Sequence, residues 1–302
     1  MKVERTIYTW RLRTRSLELG RRTLVMGVVN VTPDSFSDGG LYFDPGAAVA
    51  RGLQLLDEGA DLLDLGAEST RPGSRAGGDG PAVSAEEEWR RLGPVLLGIG
   101  KARPEAIVSV DTYKAATARA ALAAGAEIIN DVSGLTWDAE MARVCAEAHC
   151  GVVLMHTRGL PEQWKAQAQL PPDEVLELVR SGLSSSLEKA RGAGIESESV
   201  VLDPGYGFGK KFDENYALLA RQDMLLSLGR PLLAGLSRKS FLARTLAPLH
   251  GGESAPIEAR ETAGIAAMVA AIVQGASIVR VHEVRPALEA ARIADAVLDS
   301  AR

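Results

Sequence analysis

Residues 25–30 read VMGVVN, and residues 31–40 continue VTPDSFSDGG. A short apolar run gives way at once to a cluster of Pro, Asp, Ser and Gly. The pattern recurs in LLDLGAESTRPG (62–73), IVSVDTYK (107–114), IIND (128–131), VVLMH (152–156), VVLDPGYGFGK (200–210), LLAGLSRKSF (232–241) and IVRVH (278–282), which makes eight such runs. Continuous apolar runs this short suit strands covered on both faces, as in a parallel sheet. Chemistry-bearing residues gathered at the exit of each run, not spread along it, suit an active site at the carboxyl face of a barrel.

The stretches between the runs read as helices, over about 45–59, 84–100, 113–124, 137–148, 173–193, 213–228, 255–275 and 284–299. Many are rich in Ala and Leu at helical spacing. Asp44 before Pro45, Ser84 before three Glu, and Asp173 after Pro171 and Pro172 are helix-start signals. Eight strand–helix alternations in 302 residues predict a (β/α)8 TIM barrel. A doubly wound sheet is the alternative, but no G-x-G-x-x-G opens a helix here. Gly205-Tyr-Gly207-Phe-Gly209-Lys210 has the look of a phosphate loop, yet neither Ser nor Thr follows Lys210, so it is not one. Residues 1–23 are expected to form an N-terminal extension, a short strand or hairpin packed on the barrel. Residues 24–302 are expected to form one barrel domain.

Charge and composition narrow the function classes. Lys and Arg number 34 against 39 Asp and Glu, a net charge of −5, and no long basic run invites nucleic acid or an anionic membrane. Arg11, Arg13, Arg15, Arg21 and Arg22 alternate with polar residues and read as a solvated hairpin. No apolar run approaches the roughly 20 residues of a membrane span, and no signal peptide is evident. The two cysteines, Cys145 and Cys150, lie too sparsely for zinc and read as buried, reduced thiols of a cytoplasmic protein.

The run exits carry the chemistry. Asp111, Asn130 and Asp203 end three different runs, and carboxylates and an amide aimed into a barrel mouth can read the edge of a flat heterocycle. Each alone could equally be a helix N-cap; three at equivalent places favour a binding role. Lys239, Arg280 and His282 at neighbouring exits make an anion pocket, the place where this fold usually takes phosphate, although a packed or capping role would also account for His282. Thr70 and Arg71 add a hydroxyl and a guanidinium, while Pro72 and Gly73 fix a turn. Asn30 offers an amide oxygen that suffices for Mg²⁺ already held by water and phosphate oxygens. With no Ser-His-Asp set and no His/Cys cluster, the mouth suits loss of a phosphate-type leaving group and attack by a second substrate, with the protein supplying position and charge. The polar segments 31–44 and 73–81 read as mobile loops closing over that mouth.

In these motifs the chain resembles the dihydropteroate synthase family of pterin-binding TIM barrels. Asn30-Val-Thr-Pro-Asp-Ser-Phe-Ser-Asp-Gly-Gly40, Gly66-Ala-Glu-Ser-Thr-Arg-Pro-Gly73, Ser109-Val-Asp-Thr-Tyr-Lys114, Ile129-Asn-Asp131, Leu202 to Lys210, Ser237-Arg-Lys-Ser-Phe241 and Arg280-Val-His282 follow in the family's order across roughly 24–297. The resemblance implies condensation of 6-hydroxymethyl-7,8-dihydropterin diphosphate with 4-aminobenzoate to 7,8-dihydropteroate and diphosphate, a step of tetrahydrofolate biosynthesis. It implies that Asp111, Asn130, Asp203, Lys239 and Met155 hold the pterin. Thr70, Arg71, Arg280 and His282 would bind the diphosphate, with Asn30 on Mg²⁺. Thr70, Pro72, Phe208, Lys239 and Ser240 would border the aminobenzoate, and the mobile loop with Asp34, Phe36 and Ser37 would order over them. It further implies departure of diphosphate before the aniline nitrogen attacks, a cytoplasmic homodimer joined through its last helices, and a sulfonamide target whose sensitivity is set around Phe36, Pro72 and Ser240. Two departures stand out: Glu283 where the family more usually has Asp, and the variant Met155-His-Thr-Arg-Gly159. Two alternatives share the pterin pocket. A methyltetrahydrofolate-dependent methyltransferase needs neither the diphosphate cations nor the Thr-Pro-Asp-Ser-Phe loop, and an inactive paralogue would bind without turnover.

Overall fold

The computed structural model describes residues 5–31, 44–68 and 83–300. Strands β1 (Tyr8–Arg11) and β2 (Ser16–Leu19) form an antiparallel hairpin. Strand β3 (Leu24–Asn30) then begins a regular alternation: α1 (Pro45–Asp57), β4 (Leu62–Gly66), α2 (Ala85–Ala102), β5 (Val108–Asp111), α3 (Ala115–Ala123), β6 (Ile128–Asp131), α4 (Met141–Ala148), β7 (Gly151–Met155), α5 (Pro172–Gly192), β8 (Val200–Asp203), α6 (Phe212–Ala220), β9 (Leu232–Ala234), α7 (Ser240–Thr245), α8 (Glu261–Val273), β10 (Ala276–Val281) and α9 (Val284–Asp299). β3 to β10 are parallel neighbours in sequence order, and β10 pairs with β3 to close an eight-stranded barrel. The expected (β/α)8 architecture with an N-terminal hairpin is what the chain adopts.

Side-chain alternation along each strand divides the interior into levels. Leu24, Met26, Leu62, Ile107, Ile128, Val153, Val201, Leu233 and Ile278 point inward and pack with Trp10, Leu12 and Leu19 of the hairpin, which fills the amino end of the barrel. Their neighbours Val25, Leu63, Val108, Ile129, Val152, Val200, Leu232 and Val279 point outward into the larger core beneath the helices. Two-residue steps along the inward face climb to the carboxyl end: Met26 to Val28 to Asn30, Leu62 to Asp64 to Gly66, Ser109 to Asp111, Ile128 to Asn130, Val153 to Met155, Val201 to Asp203, Ile278 to Arg280 to His282. The apolar runs thus hide a strict inner parity whose top level is polar.

Trp10 is fully buried, and its indole Nε1 donates to the Ser199 carbonyl at 2.9 Å. The hairpin arginines are solvated but also anchored: Arg13 donates to the Ala126 carbonyl at 3.0 Å, Arg15 to that of Glu105 at 2.9 Å, and Arg11 pairs with Glu196. Asp295 of α9 accepts from the Thr23 amide (2.8 Å) and hydroxyl (2.7 Å) and from Arg5 (2.7 Å), so the last helix ties down the entrance to β3.

Two helix starts follow the sequence reading. Asp44 accepts from the Gly46 amide at 2.8 Å with Pro45 at the first helical position, and Ser84 accepts from Glu87 at 3.2 Å ahead of three glutamates. Asp173 is not a cap: α5 already begins at Pro172, and Asp173 sits in its first turn. The single helices expected over 213–228 and 255–275 each divide. A 3₁₀ turn, Gln222–Leu228, follows α6, and another, Ile257–Arg260, precedes α8. The short α7 starts within the run read as 232–241: β9 ends at Ala234, Arg238 takes φ +60°, and Lys239 stands at the N-cap position of the helix. Cys145 lies in α4, but Cys150 stands beyond its left-handed C-cap His149. Both thiols are free and buried, and among the described residues no group of three His, Cys, Asp or Glu could hold a metal.

Candidate active site

The carboxyl end of the barrel opens into a cavity of about 370 Å³. Asn30, Asp111, Phe208, Lys239, Ser240, Arg280 and His282 all line it, so seven residues singled out from the sequence, from five different strand exits, share one space. Asn130, Asp203 and Met155 are not among its lining residues. They stand at the same level of their strands but are buried, with 7%, 6% and 5% exposure. Thr70, Arg71, Pro72, Asp34, Phe36 and Ser37 lie outside the described residues, as do the segment 73–81 and all of 31–44 except residues 31 and 44.

Arg280 organises the floor. Its Nε donates to Asp64 Oδ2 at 2.6 Å and its Nη2 to Asp111 Oδ2 at 2.9 Å. Asn130 Nδ2 donates to the same Asp64 oxygen at 3.0 Å. Gly66, beside Asp111, and Gly235, facing Arg280 and Asp203, leave the space these side chains use. Asp64 is the residue the sequence reading passed over. It lies in the middle of an apolar strand, is fully buried, and joins Asn130 to Arg280. Its signal was its parity, two residues after the inward Leu62. Asp111 is no helix cap, since α3 begins four residues later after Lys114. Asp203 does accept locally, from the Gly205 amide at 2.7 Å.

Electrostatics follow from this burial. Removal from water raises Asp111 from 3.8 to about 7; Arg280 opposes the shift, and Asp64 adds to it. Burial also raises Asp203, against the Gly205 amide and Lys239. Burial pulls the Arg280 guanidinium down, but the Asp64 and Asp111 carboxylates outweigh it and hold the group above its ordinary value. The floor is therefore a set of acceptors balanced around one fixed cation.

The rim is built on the exits of β8, β9 and β10. Lys239 Nζ sits 4.1 Å from the centre of the Phe208 ring. Trp164 meets that ring edge-on at 5.5 Å. His282 Nδ1 lies 3.0 Å from Ser237 Oγ. Glu283, the departure after Arg-Val-His, accepts from Arg238 at 2.6 Å and Arg51 at 3.2 Å, so the longer side chain bridges the turn after β9 to α1. In the variant β7 exit, His156 is buried, and burial with Lys210 nearby keeps its imidazole neutral. Arg158 reaches Glu214 at 3.4 Å. A second polar cluster fixes the base of the cavity wall: Lys114 pairs with Glu68 and, at 3.4 Å, with buried Glu88, while Glu68 accepts from the Val83 amide at 2.8 Å.

The chemistry open to this arrangement is recognition of a flat ring by buried acceptors below an aromatic and cationic rim. Comparison with known proteins agrees. The profile of the pterin-binding enzyme family matches residues 26–282. A dihydropteroate synthase of Mycobacterium leprae is 44% identical over 91% of this chain and 93% of its own length. The structure of the Xanthomonas albilineans dihydropteroate synthase with 4-aminobenzoic acid superposes with a TM-score of 0.83, at 42% identity over 97% of this chain and 98% of that one. The same enzyme in complex with 7,8-dihydropteroate gives 0.79, at 41% identity over 96% and 98%. A fold, a barrel-mouth site and a family profile spanning nearly the whole barrel converge: the chain belongs to the pterin-binding enzyme family.

Proposed function

We propose that the chain is a transferase that condenses 6-hydroxymethyl-7,8-dihydropterin diphosphate with 4-aminobenzoate, forming 7,8-dihydropteroate and diphosphate in folate biosynthesis. The observation that carries this is the division of one cavity into a buried acceptor floor (Asp111 and Asp64 around Arg280) and a rim of Lys239, Phe208 and His282. The floor suits the hydrogen-bond donors of a pterin ring, with Asn130 and Asp203 at the same level and Met155 packed beside them. Phe208 and Ser240 offer the second substrate an aromatic wall and a hydroxyl, and Thr70 and Pro72 are assigned to the same wall. Arg280, His282, Thr70 and Arg71 are assigned to the diphosphate, and Asp34, Phe36 and Ser37 to a loop that covers the site.

The bond from the pterin methylene to the diphosphate oxygen breaks, and a bond to the aniline nitrogen forms. The nitrogen then releases its proton to the departing diphosphate or to water. Aniline is nucleophilic without a strong base, so position and charge do the protein's share. Lys239 and Arg280 offset negative charge on the leaving group, while Asp111 and Asp203 keep the ring in register with the amine.

The donor set fits Mg²⁺ only as a companion of the diphosphate: Asn30 supplies one amide oxygen on the cavity wall, and the remaining ligands would be phosphate oxygens and water. The chemistry such an ion supplies when bound is neutralisation of charge on the leaving group. The reading extends to a single barrel domain over 24–302 preceded by an extension over 1–23, to a cytoplasmic location and to sulfonamide binding at the aminobenzoate wall. Among the described residues no helix is long and apolar enough to cross a membrane. A homodimer is part of the same reading, with Val273 of α8 and Ile293 and Val297 of α9 as exposed apolar residues for its interface.

The test is turnover of the pterin diphosphate with labelled 4-aminobenzoate, with and without Mg²⁺, following dihydropteroate and diphosphate together. Mg²⁺-dependent release of both is expected. Tight pterin binding without product would identify an inactive pterin-binding protein and overturn the reading.

A further inference from the structure

The loop Gly205–Lys210 is wound around its own lysine. Lys210 is buried at 7% exposure, and its Nζ donates to the carbonyls of Gly205 (2.8 Å), His156 (3.1 Å) and Phe208 (3.3 Å). An ammonium has three donors, and all three are spent on backbone oxygens, so none remains for a phosphate. The three carbonyls can converge because Gly205, Gly207 and Gly209 all adopt left-handed backbone, with φ of +69°, +83° and +71°. At Gly205 a Cβ would collide with the very His156 carbonyl that Lys210 grips. From outside, Asn215 of α6 closes the loop. Its Oδ1 accepts from the Gly207 amide at 2.7 Å, and its Nδ2 donates to the carbonyls of Lys211 (2.7 Å) and Lys210 (3.3 Å).

The loop carries two residues of the cavity. Phe208 is held between Lys239 Nζ and Trp164, and Gly207 lines the wall beside it. Lys210 touches both ends of the turn that carries Phe208: the Phe208 amide donates to Gly205 O at 3.1 Å, an oxygen Lys210 also grips, and the Phe208 carbonyl is shared by Lys210 (3.3 Å) and the Arg158 amide (3.4 Å). A buried cation is costly to desolvate and needs partners to compensate it, which the three carbonyls of the loop supply. Burial also pulls Lys210 down to about 7 against the attraction of Asp203, which marks how far the ammonium has been withdrawn from water.

We propose that Lys210, with Asn215, is a positioning residue that sets the Phe208 wall of the aminobenzoate site by serving as the internal cation of the Gly205–Lys210 loop. The inference rests on the reaction proposed above for this cavity. Asp111 and Asn130 stand on β5 and β6, away from the loop, and Asp203 meets it only at the Gly205 amide (2.7 Å), the end opposite Phe208, so loosening the Phe208 end acts on the aminobenzoate more than on the pterin.

The experiment uses the full chain with Lys210→Met and Asn215→Ala. Folding is checked by circular dichroism melting, and the wall is followed by the indole N–H signal of Trp164, assigned through Trp164→Phe. For Lys210→Met, KM for 4-aminobenzoate is expected to rise by about tenfold or more while affinity for the pterin diphosphate changes by less than about threefold. The Trp164 signal should shift while those of Trp10, Trp89 and Trp137 stay in place. Asn215→Ala should show the same split at about threefold. If Lys210→Met does not fold, Asn215→Ala decides. Folded variants that leave KM and the Trp164 signal unchanged, or that weaken both substrates equally, overturn the proposal. Should the wild type make no dihydropteroate, the proposed reaction fails, and the Trp164 signal alone then judges the loop assignment: shifted upholds it, unmoved overturns it.

Discussion

Asp64→Asn is the substitution that best tests the floor of the site. The residue has no exposed side-chain surface, and Arg280 is 23% exposed, so their 2.6 Å contact is a buried ion pair rather than a surface one. Removing one partner of such a pair costs about 3–5 kcal/mol. Three features reduce that figure here. Asparagine keeps the volume and one acceptor oxygen. Arg280 keeps Asp111 at 2.9 Å. The variant also escapes the cost of burying the Asp64 charge, one of whose oxygens, Oδ1, has no hydrogen bond among the described residues. A loss of about 2–3 kcal/mol remains, which for a chain of this size lowers Tm by roughly 3–5 °C. A second signature separates electrostatics from packing. The Asp64 charge helps to hold Asp111 up at about 7. In the variant Asp111 should ionise at lower pH, and the acid limb of pterin binding, followed by titration calorimetry from pH 5 to 9, should move down with it. A double-mutant cycle with Arg280→Met should give a coupling energy of about 1–3 kcal/mol. An unchanged melting temperature, or a lowered one with the acid limb unmoved and the cycle additive, would refute the reasoning.

Four further outcomes follow from the structure. In the wild-type protein, Asp111 must be ionised to accept from the ring, so pterin affinity should fall about tenfold per pH unit below about 7, read by calorimetry. The stability effect has the opposite sign: a carboxyl raised from 3.8 to about 7 favours the fold at low pH and withdraws that contribution as pH rises to about 7, visible as a Tm change across the interval. Gly205→Ala forces a Cβ against the His156 carbonyl at φ +69°, and should cost about 2–4 kcal/mol in denaturant unfolding. Trp10→Ala should cost about 3–5 kcal/mol yet leave both substrate KM values unchanged, because it empties the end of the barrel opposite the cavity.

The fold was legible because each apolar run is bounded by turn residues and separated from the next by a helix-length segment, and that arithmetic survives without any contact information. Boundaries blurred where the backbone makes 3₁₀ turns, as at Gln222–Leu228, since apolar spacing hardly distinguishes a helix from a tight turn beside it. The polar exits of Asp111, Arg280 and His282 could be read because they stand where the chain leaves the sheet. Asp64 could not, because it looks like a flaw in the strand Leu62–Gly66 until the inward parity of Leu62 is known. Lys210 was hidden differently. Its glycines resembled a phosphate cradle, and only the carbonyl geometry shows that the loop binds its own side chain. Nor did sequence reveal that Arg280 leans on Asp111 across the barrel, a contact between residues 169 positions apart.

The ladder between β10 and β3, from Ile278↔Leu24 to Val281↔Gly27, sets a condition on biosynthesis. The first barrel strand to leave the ribosome waits for the last, and Asp295 must follow before Thr23 finds its partner. Until then Leu24–Asn30 is an open, apolar sheet edge able to recruit foreign strands. Partial translation products should therefore be sticky and short-lived, not smaller working enzymes, and ribosome pausing between β9 and β10 would prolong the hazardous interval. Closure acts as a length checkpoint, passed only once the final helix has been made.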